Sequence, residues 1–596
     1  MAYFPNKQAV KTEIQETTTK TDLSRKHLTT ANFFEPNIAY VRDNTTRENW
    51  INNTGIFARP MPMQMPVMGS AKLALKTYFV PYRVISPQWN DFITRTPHVN
   101  TEGNVNIIKE MPYFTMNDMV NLFLTDKYAT RSETNLYDFI DESGTHYILT
   151  AFGRHCLKIL NQLGYQLYFG FKSGSATKHW NALRLLAYAK IYLDYYYSNQ
   201  YAFVTQSSIE VESLFKKDGD SAYHLKDYEI DNIFELTRYS FYEDDYFVSQ
   251  WDNAVSPNNV SSSFGVLTLE DITLKGSQAT TIAAAQTPDN EMGTPRMEDV
   301  QGSNITQFAL DSLKKITDYC HRYAISGIRS VDRYLARFGV LLTAEKMQRS
   351  EYYGKQETIM QFGAVYSTAE TTNGKVGDYA GQGIINSDGQ EHNQFEMKDI
   401  KDMGCIMQIF TIIPEIGYCQ GIDRDNMRTD PESYFNGIFD SLGTQATSPA
   451  ELYISENGQS NFATEEYINQ VFGFIARGAH WKCAKDNLTG DFKVNSLNNG
   501  DWKSSPWHMF RVFKDEYFEH IGIGTVVHTP FFVKATDAEQ YNRIFNDPNE
   551  EDGDHFVVMI TQKIEADIHA KPLYDTYDFE SEGKRIIMEG MGPKQS

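Results

Sequence analysis

Positive charge is what this sequence most lacks. Its 55 Lys and Arg face 77 Asp and Glu, for a net charge of −22 and a pI near 5.1. Neutralising a long stretch of phosphate backbone takes many Lys and Arg, so an extended basic nucleic-acid groove is excluded. An acidic surface favours solubility and oriented assembly instead. Cysteine is also scarce. Cys156, Cys320, Cys405, Cys419 and Cys483 are the five in 596 residues, odd in number, widely spaced and without a C-x-x-C pair. This excludes a disulfide framework and predicts mostly buried free thiols in a reducing compartment. No apolar run reaches the length that spans a bilayer, and Met1-Ala2-Tyr3-Phe4-Pro5 opens no secretory signal. Synthesis and assembly in the cytoplasm, without membrane insertion, are expected.

Catalytic signatures are missing too. There is no H-E-x-x-H, no G-x-S-x-G and no phosphate loop. The Gly-rich stretch around Gly374, Gly377, Gly381 and Gly383 has the wrong spacing for one and reads as a structural turn. Gly421 to Asp430 starts like a calcium loop, but Met427 holds a ligand position and no Gly follows at the sharp turn, so a turn with paired charges is expected. Asp547, Glu550, Glu551, Asp552 and Asp554 cluster around Pro548 and Gly553. They are a candidate cation loop set against the plainer reading of a solvated acidic loop. No catalytic residue, metal ligand or cofactor is assigned.

Aromatic residues are plentiful at 13 %, with 36 Tyr and 37 Phe, and apolar residues reach 41 %. Tyr and Phe favour strands and also anchor interfaces. Leu73, Leu75, Thr77 and Phe79 alternate with Lys72, Ala74, Lys76 and Tyr78, the period of a strand with one buried face, and Pro81 ends the ladder. Val558, Ile560, Ile564, Ala566, Ile568 and Ala570 share a second strand face that only Gln562 interrupts. Running from 556 to 570, that strand would span roughly 50 Å at ~3.3 Å per residue. Strands this long belong to sandwiches and barrels. Between them, Trp180, Leu183, Leu186, Ala187, Ile191 and Tyr195 recur at helical spacing, as do Phe308, Leu310, Leu313, Ile316, Cys320 and Ala324.

The expected fold is mainly β: an eight-stranded jelly roll, an antiparallel β-sandwich with long inserted loops and a few helices. Residues 1–35 read as an N-terminal arm with little structure of its own, and 36–596 as one domain with candidate surface insertions at 202–240 and 253–304. In the arm, Lys7, Lys11, Lys20, Arg25 and Lys26 are candidate nucleic-acid contacts; the alternative is a solvated or docking tail.

One segment points further. Arg337-Phe338-Gly339-Val340, then Gln348-Arg349-Ser350-Glu351-Tyr352-Tyr353-Gly354, resembles the R-F-G-V-x-x-P-D-x-R-L-Q-R-P-E-Y-x-G run of the Microviridae major capsid proteins. Other segments resemble the same family in the same order. They include Thr21-Asp22-Leu23-Ser24, Tyr78-Phe79-Val80-Pro81-Tyr82-Arg83 followed by Trp89, and Leu185 to Tyr192 followed by Asn199-Gln200. Asp245-Tyr246-Phe247-Val248-Ser249, Tyr418-Cys419-Gln420-Gly421-Ile422-Asp423-Arg424 and Trp507-His508 continue the series. Ser350 stands where the family has Pro, Thr343-Ala344 replaces Pro-Asp, and the tail beyond 571 keeps only Lys571-Pro572, which places the chain on a divergent, gokushovirus-like or related branch.

The resemblance implies a jelly roll assembling as sixty copies into a T=1 icosahedral shell around a single-stranded DNA phage genome, hence a virion location. It also implies a small basic DNA-packaging protein, a pilot protein and a host surface receptor as partners. Pro81, Arg83, Trp89, Phe338, Gly339, Gln348, Arg349, Tyr352, Gln420, Gly421 and Arg424 become candidate structural or interface residues. The competing readings are a monomeric β-sandwich that binds carbohydrate through exposed aromatics, as in an adhesin, and a polysaccharide-active enzyme needing two carboxylates.

Overall fold

The computed structural model describes most of residues 19–94, 98–165, 178–197, 216–251, 349–362, 385–513 and 534–568, and the account below is confined to these. Eight strand positions make up the sandwich. β1 is an interrupted strand, Thr19–Asp22 with Arg25–Ala31; β2 is Asn37–Asp43, β3 Glu48–Pro60 and β4 Ser70–Pro81. After a long excursion come β5, Glu351–Gln361, the interrupted β6, Ile385–Ser387 with Gln394–Ile400, and β7, Gly404–Pro414. The last, β8, is Phe556–Ile568.

The pairing runs β1-β8-β3-β6 in one sheet and β2-β7-β4-β5 in the other, with every ladder antiparallel. First and last strands lie side by side, and neighbours in sequence alternate between sheets except β4 and β5, which pair within one. This is the order that two Greek keys give when wrapped into a jelly roll.

Alternation in the sequence explains most of it. β8 buries Phe556, Val558, Ile560, Gln562, Ile564, Ala566 and Ile568 and turns the residues between them outward. β3 alternates in the same way from Glu48 to Pro60. Gln562 breaks the apolar row because it faces other polar groups. Its amide nitrogen donates to Gln408 Oε1 on β7, Gln408 donates to Thr77 Oγ1 on β4, and Arg25 Nε donates to Gln562 Oε1. A polar bridge thus crosses the sandwich between two apolar clusters, one around Leu73, Phe410 and Ile560 and one around Trp50, Phe79 and Ile564.

β4 departs from expectation. Two short helices, α1, Tyr82–Ile85, and α2, Trp89–Thr94, follow it, and its second face is also buried over much of its length, because Tyr78 and Val80 pack under helices α3, Ala151–Gln162, and α4, Leu183–Ile191. β7, buried from Gly404 to Pro414, is covered on both sides for the same reason. Only the Lys72 to Lys76 end of the outer β4 face lies beyond the helices. A single π-turn, Tyr192–Tyr196, follows α4 directly.

Two further expectations are corrected. From Thr19 onward the arm is not structureless, since it forms β1 along β8; a polar, Thr-containing strand with exposed Lys20 and Lys26 fits a sheet edge. Within 202–240, helix α5, Asp227–Thr237, buries Ile230, Ile233 and Phe234 in the core below α3 and α4, so this part is no surface insertion. Residues 253–304, the helix read after Asn304, the Gly-rich stretch at 374–383, and His569 and Ala570 lie outside the described residues.

Candidate functional site

The chain after β7 carries the densest set of the candidate residues. Tyr418 donates to Asp245 Oδ2 at 2.6 Å, while Asp245 Oδ1 caps the amides of Phe247 and Val248 at 2.8 and 2.7 Å. Two segments about 170 residues apart in sequence are tied by one carboxylate. Gln420 then clamps the backbone of Phe513 from both ends of its amide, at 3.0 and 2.7 Å. At Gly421 a Cβ would stand 1.9 Å from the Glu451 carbonyl oxygen, so only glycine lets the two backbones approach.

Arg424 completes the node. Its Nη1 donates to Glu451 Oε1 at 3.0 Å and to the Ala446 carbonyl at 3.1 Å. The other Glu451 oxygen takes Tyr246 at 3.1 Å and Lys485 at 3.3 Å. Glu451 is buried and also closes a capping box with Ser448. A buried carboxylate with this many donors is a rigid fixture. The expected turn of paired charges is present beside it: Arg424–Met427 form a 3-10 turn and Arg428 pairs with Asp425.

Above this node lies an exposed aromatic patch. The Arg428 guanidinium sits 3.8 Å over the Trp481 ring and 5.6 Å over Tyr434, and Phe435 meets Trp481 edge-on at 5.9 Å. Trp481 is 42 % exposed, Tyr434 59 % and Phe435 52 %. Trp and Tyr half in water, held by a largely covered Arg428 guanidinium, are residue types that dominate binding energy in protein interfaces.

The other candidates are dispersed. Pro81 ends β4; Arg83 Nε pairs with Asp402 at 2.7 Å, and Trp89 packs on Tyr82 at 4.9 Å between ring centres. The Arg349 guanidinium lies 4.6 Å over Tyr195, and Tyr352 opens β5 with its ring 44 % exposed. Phe338, Gly339 and Gln348 lie outside the described residues, as do Lys7 and Lys11. Lys20 and Lys26 are exposed on β1. Arg25 is not a free arm residue: it donates to Gln562 and to the Ala39 carbonyl and lies 4.3 Å over Tyr40.

The acidic loop does not assemble a cation site in what is described. Asp554 is taken by Lys158 at 3.0 Å, by Asn32 at 3.0 Å and by the Thr30 hydroxyl. Lys158 also holds buried Glu35 at 2.6 Å, with His155 at 3.3 Å. Burial acts to raise the Glu35 pKa, but Lys158 and His155 outweigh it and hold the carboxyl well below its usual range. These charges lock the β1–β2 turn to α3 and to the start of β8. Asp547 is exposed, and Glu550, Glu551 and Asp552 are not among the described residues. Among the described residues no group of three or more His, Cys, Asp or Glu could hold a metal. Cys156, Cys405 and Cys419 are buried and Cys483 is exposed, while Cys320 is not described.

Sequence reasoning passed over Trp481, Tyr434, Phe435 and Glu451, and read Arg428 only as part of a charged turn. Only Glu451 carried a readable signal, the Ser448-x-x-Glu451 spacing of a capping box. The patch residues sit in irregular chain, where no period marks a face.

Comparison with known proteins agrees with the motif reading. Over 246 residues, 39 % of this chain and 39 % of the relative, the sequence is 21 % identical to capsid protein VP1 of Chlamydia phage 1. Over 237 residues it is 22 % identical to capsid protein VP1 of Spiroplasma virus 4, covering 39 % and 40 %. The chain is similar to viral capsid proteins. The aligned part is about two fifths of each relative's own length. No family model matches the chain. No helix among the described residues is long and apolar enough to cross a membrane.

Proposed function

We propose that this protein is the major capsid protein of a single-stranded DNA phage and that its activity is self-assembly, not catalysis. The observation that carries the reading is the coincidence of two things. The strand order is that of a jelly roll, and the sequence is similar to capsid protein VP1 of two viruses. The exposed aromatic patch at Trp481 and Tyr434 then serves as one contact between copies, presented by the Glu451 node. The family motif residues hold the long connections in register for those contacts.

The finer reading is a T=1 shell of sixty copies, formed in the bacterial cytoplasm and found in the virion. Contacts around fivefold and threefold axes would be heterologous and those at twofolds isologous. Such a shell would carry roughly −1,300 formal charges, taking −22 per copy. The genome therefore brings counterions or a small basic packaging protein, and a pilot protein and host receptor complete the set of partners. Negative-stain electron microscopy of the purified chain tests the reading. Uniform spheres of a few hundred ångströms support it. Monomers at every salt and pH, with glycan binding in their place, would overturn it in favour of a carbohydrate-binding sandwich.

A further inference from the structure

The outer face of the β2-β7-β4-β5 sheet has a feature that packing does not explain. Lys76 on β4 stands directly opposite Lys355 on β5 in the ladder. Like charges placed so repel and are normally avoided. One step along the same face, across a bulge at Tyr353, Tyr352 stands opposite Tyr78. Three residues of this strip are therefore two ammonium groups and a half-exposed ring in a row, on a chain with an excess of acid.

The ring is held rigidly. Tyr352 packs against Tyr78 at 5.6 Å and Tyr195 at 5.9 Å, and Tyr78 packs on Tyr195 at 4.9 Å. Tyr195 is pinned by donating to the Ser350 carbonyl at 2.5 Å, and Ser350 is pinned by Asp194. Both Tyr195 and Asp194 belong to the π-turn after α4, a backbone irregularity found often at functional sites. The Arg349 guanidinium lies 4.6 Å over Tyr195 and donates to the Asp194 carbonyl at 3.3 Å, and the Lys76 ammonium lies 4.9 Å over Tyr196.

The charge balance is incomplete. Glu243 and Glu357 offset Lys72 and Lys355, with separations of 3.1, 3.5 and 2.9 Å. Lys76 and Arg349 have no carboxylate within ion-pair distance among the described residues. Burial pushes the Lys76 amine down, with Lys355 and Lys72 adding to it, and the more distant Glu243 and Glu357 offset this only in part. A fixed aromatic face flanked by cations suits an unpaired base with its phosphates, since stacking accepts any base and the cations track the backbone. A duplex offers no free base face to such a ring.

We propose that Tyr352, Lys355, Lys76 and Arg349 form a binding platform for single-stranded DNA, with a base stacked on the Tyr352 ring and adjacent phosphates on the three cations. This rests on the capsid reading, which supplies a single-stranded genome as the ligand. It differs from the N-terminal arm as the DNA contact and needs only a local excess of positive charge.

The test uses fluorescence anisotropy of a labelled oligothymidylate about 15 nucleotides long with the full chain before assembly, and a duplex of equal length beside it. Tyr352→Leu should weaken oligothymidylate binding about 5- to 150-fold, from ~1–3 kcal/mol per stacked base. Tyr352→Phe should bind like the parent. Lys76→Gln should weaken binding and reduce the salt slope by about 0.7. Should Tyr352→Leu fail to fold, Lys76→Gln decides, since relieving the Lys76–Lys355 repulsion does not endanger the sheet. Unchanged binding in the folded variants, or duplex bound as tightly as single strand, overturns the platform. Microscopy of the same samples separates the two readings. Shells whose subunits bind DNA independently of Tyr352 keep the capsid and sink the platform; Tyr352-dependent binding by a chain that never forms shells does the reverse.

Discussion

The sandwich and the lobe around Glu451 are built on opposite principles. In the sandwich, long alternating strands bury apolar faces, and a polar bridge, Gln562–Gln408–Thr77, is enclosed between apolar clusters. In the lobe, regular structure is sparse: the strands Thr444–Thr447 and Gly473–Ala476 and a few 3-10 turns. Its order comes from point fixtures, Asp245, Gln420 and Glu451, each satisfying several donors or clamping a backbone. Many weak and redundant contacts tolerate change; a few strong and specific ones do not. The lobe is thus the part where a single residue both sets the shape and presents an exposed surface.

That contrast is testable by substitution. Gly421→Ala should have the largest effect, because its methyl would overlap the Glu451 backbone; a loss of about 4 kcal/mol or a failure to fold is expected in urea unfolding. Glu451→Ala should follow, at about 3 kcal/mol, since it strands Tyr246, Arg424 and Lys485 around an emptied site. In the sandwich, Gln562→Leu should cost about 1–3 kcal/mol by leaving Gln408 Oε1 without its donor, and Gln562→Leu with Gln408→Leu should recover most of it. A pair that failed to recover would show that the bridge sets register and not only satisfaction.

Trp481→Ala should leave the monomer within about 0.5 kcal/mol of the parent. Its effect belongs to assembly, where loss of a contact anchor should raise the protein concentration needed for particles at least about tenfold. Light scattering against concentration measures it. Equal assembly would remove the patch from the set of contacts.

The smallest effect concerns pH. Burial, with Arg543 beside it, pushes His508 down to about 4, and burial with Arg424 and Arg428 nearby does the same to His480. The unfolded chain binds these protons near pH 6.5, before the folded one does. Folding is therefore favoured above pH 6.5, and that share of stability is lost as pH falls toward 4. The melting temperature should decline across this window, and less so in His508→Gln.

The sheet strands were the legible part. Alternation in β8 and around Leu73 set their buried faces, and Pro81 marked an end. The second buried face of β4 was not legible, because it depends on helices α3 and α4 folding back over the sheet from distant sequence. The ordering of Thr19 to Ala31 was missed for a related reason: a polar edge strand takes its structure from its neighbour β8, not from its own apolar content. In the candidate site, Gln420, Gly421 and Arg424 stood out through motif resemblance, whereas their partners Glu451 and Phe513 became visible only on folding.

Sequence by itself determined the strand faces, the acidic balance, the lack of catalytic motifs and the likeness to capsid proteins. These are local or additive properties, readable from period, count and spacing. Tertiary structure alone decided which strands neighbour each other, which carboxylates are buried fixtures, that Arg25 is engaged in the sheet, and that Lys76 faces Lys355 beside Tyr352. Those properties depend on contacts between residues up to hundreds of positions apart, and their energies exist only once the chain has closed on itself.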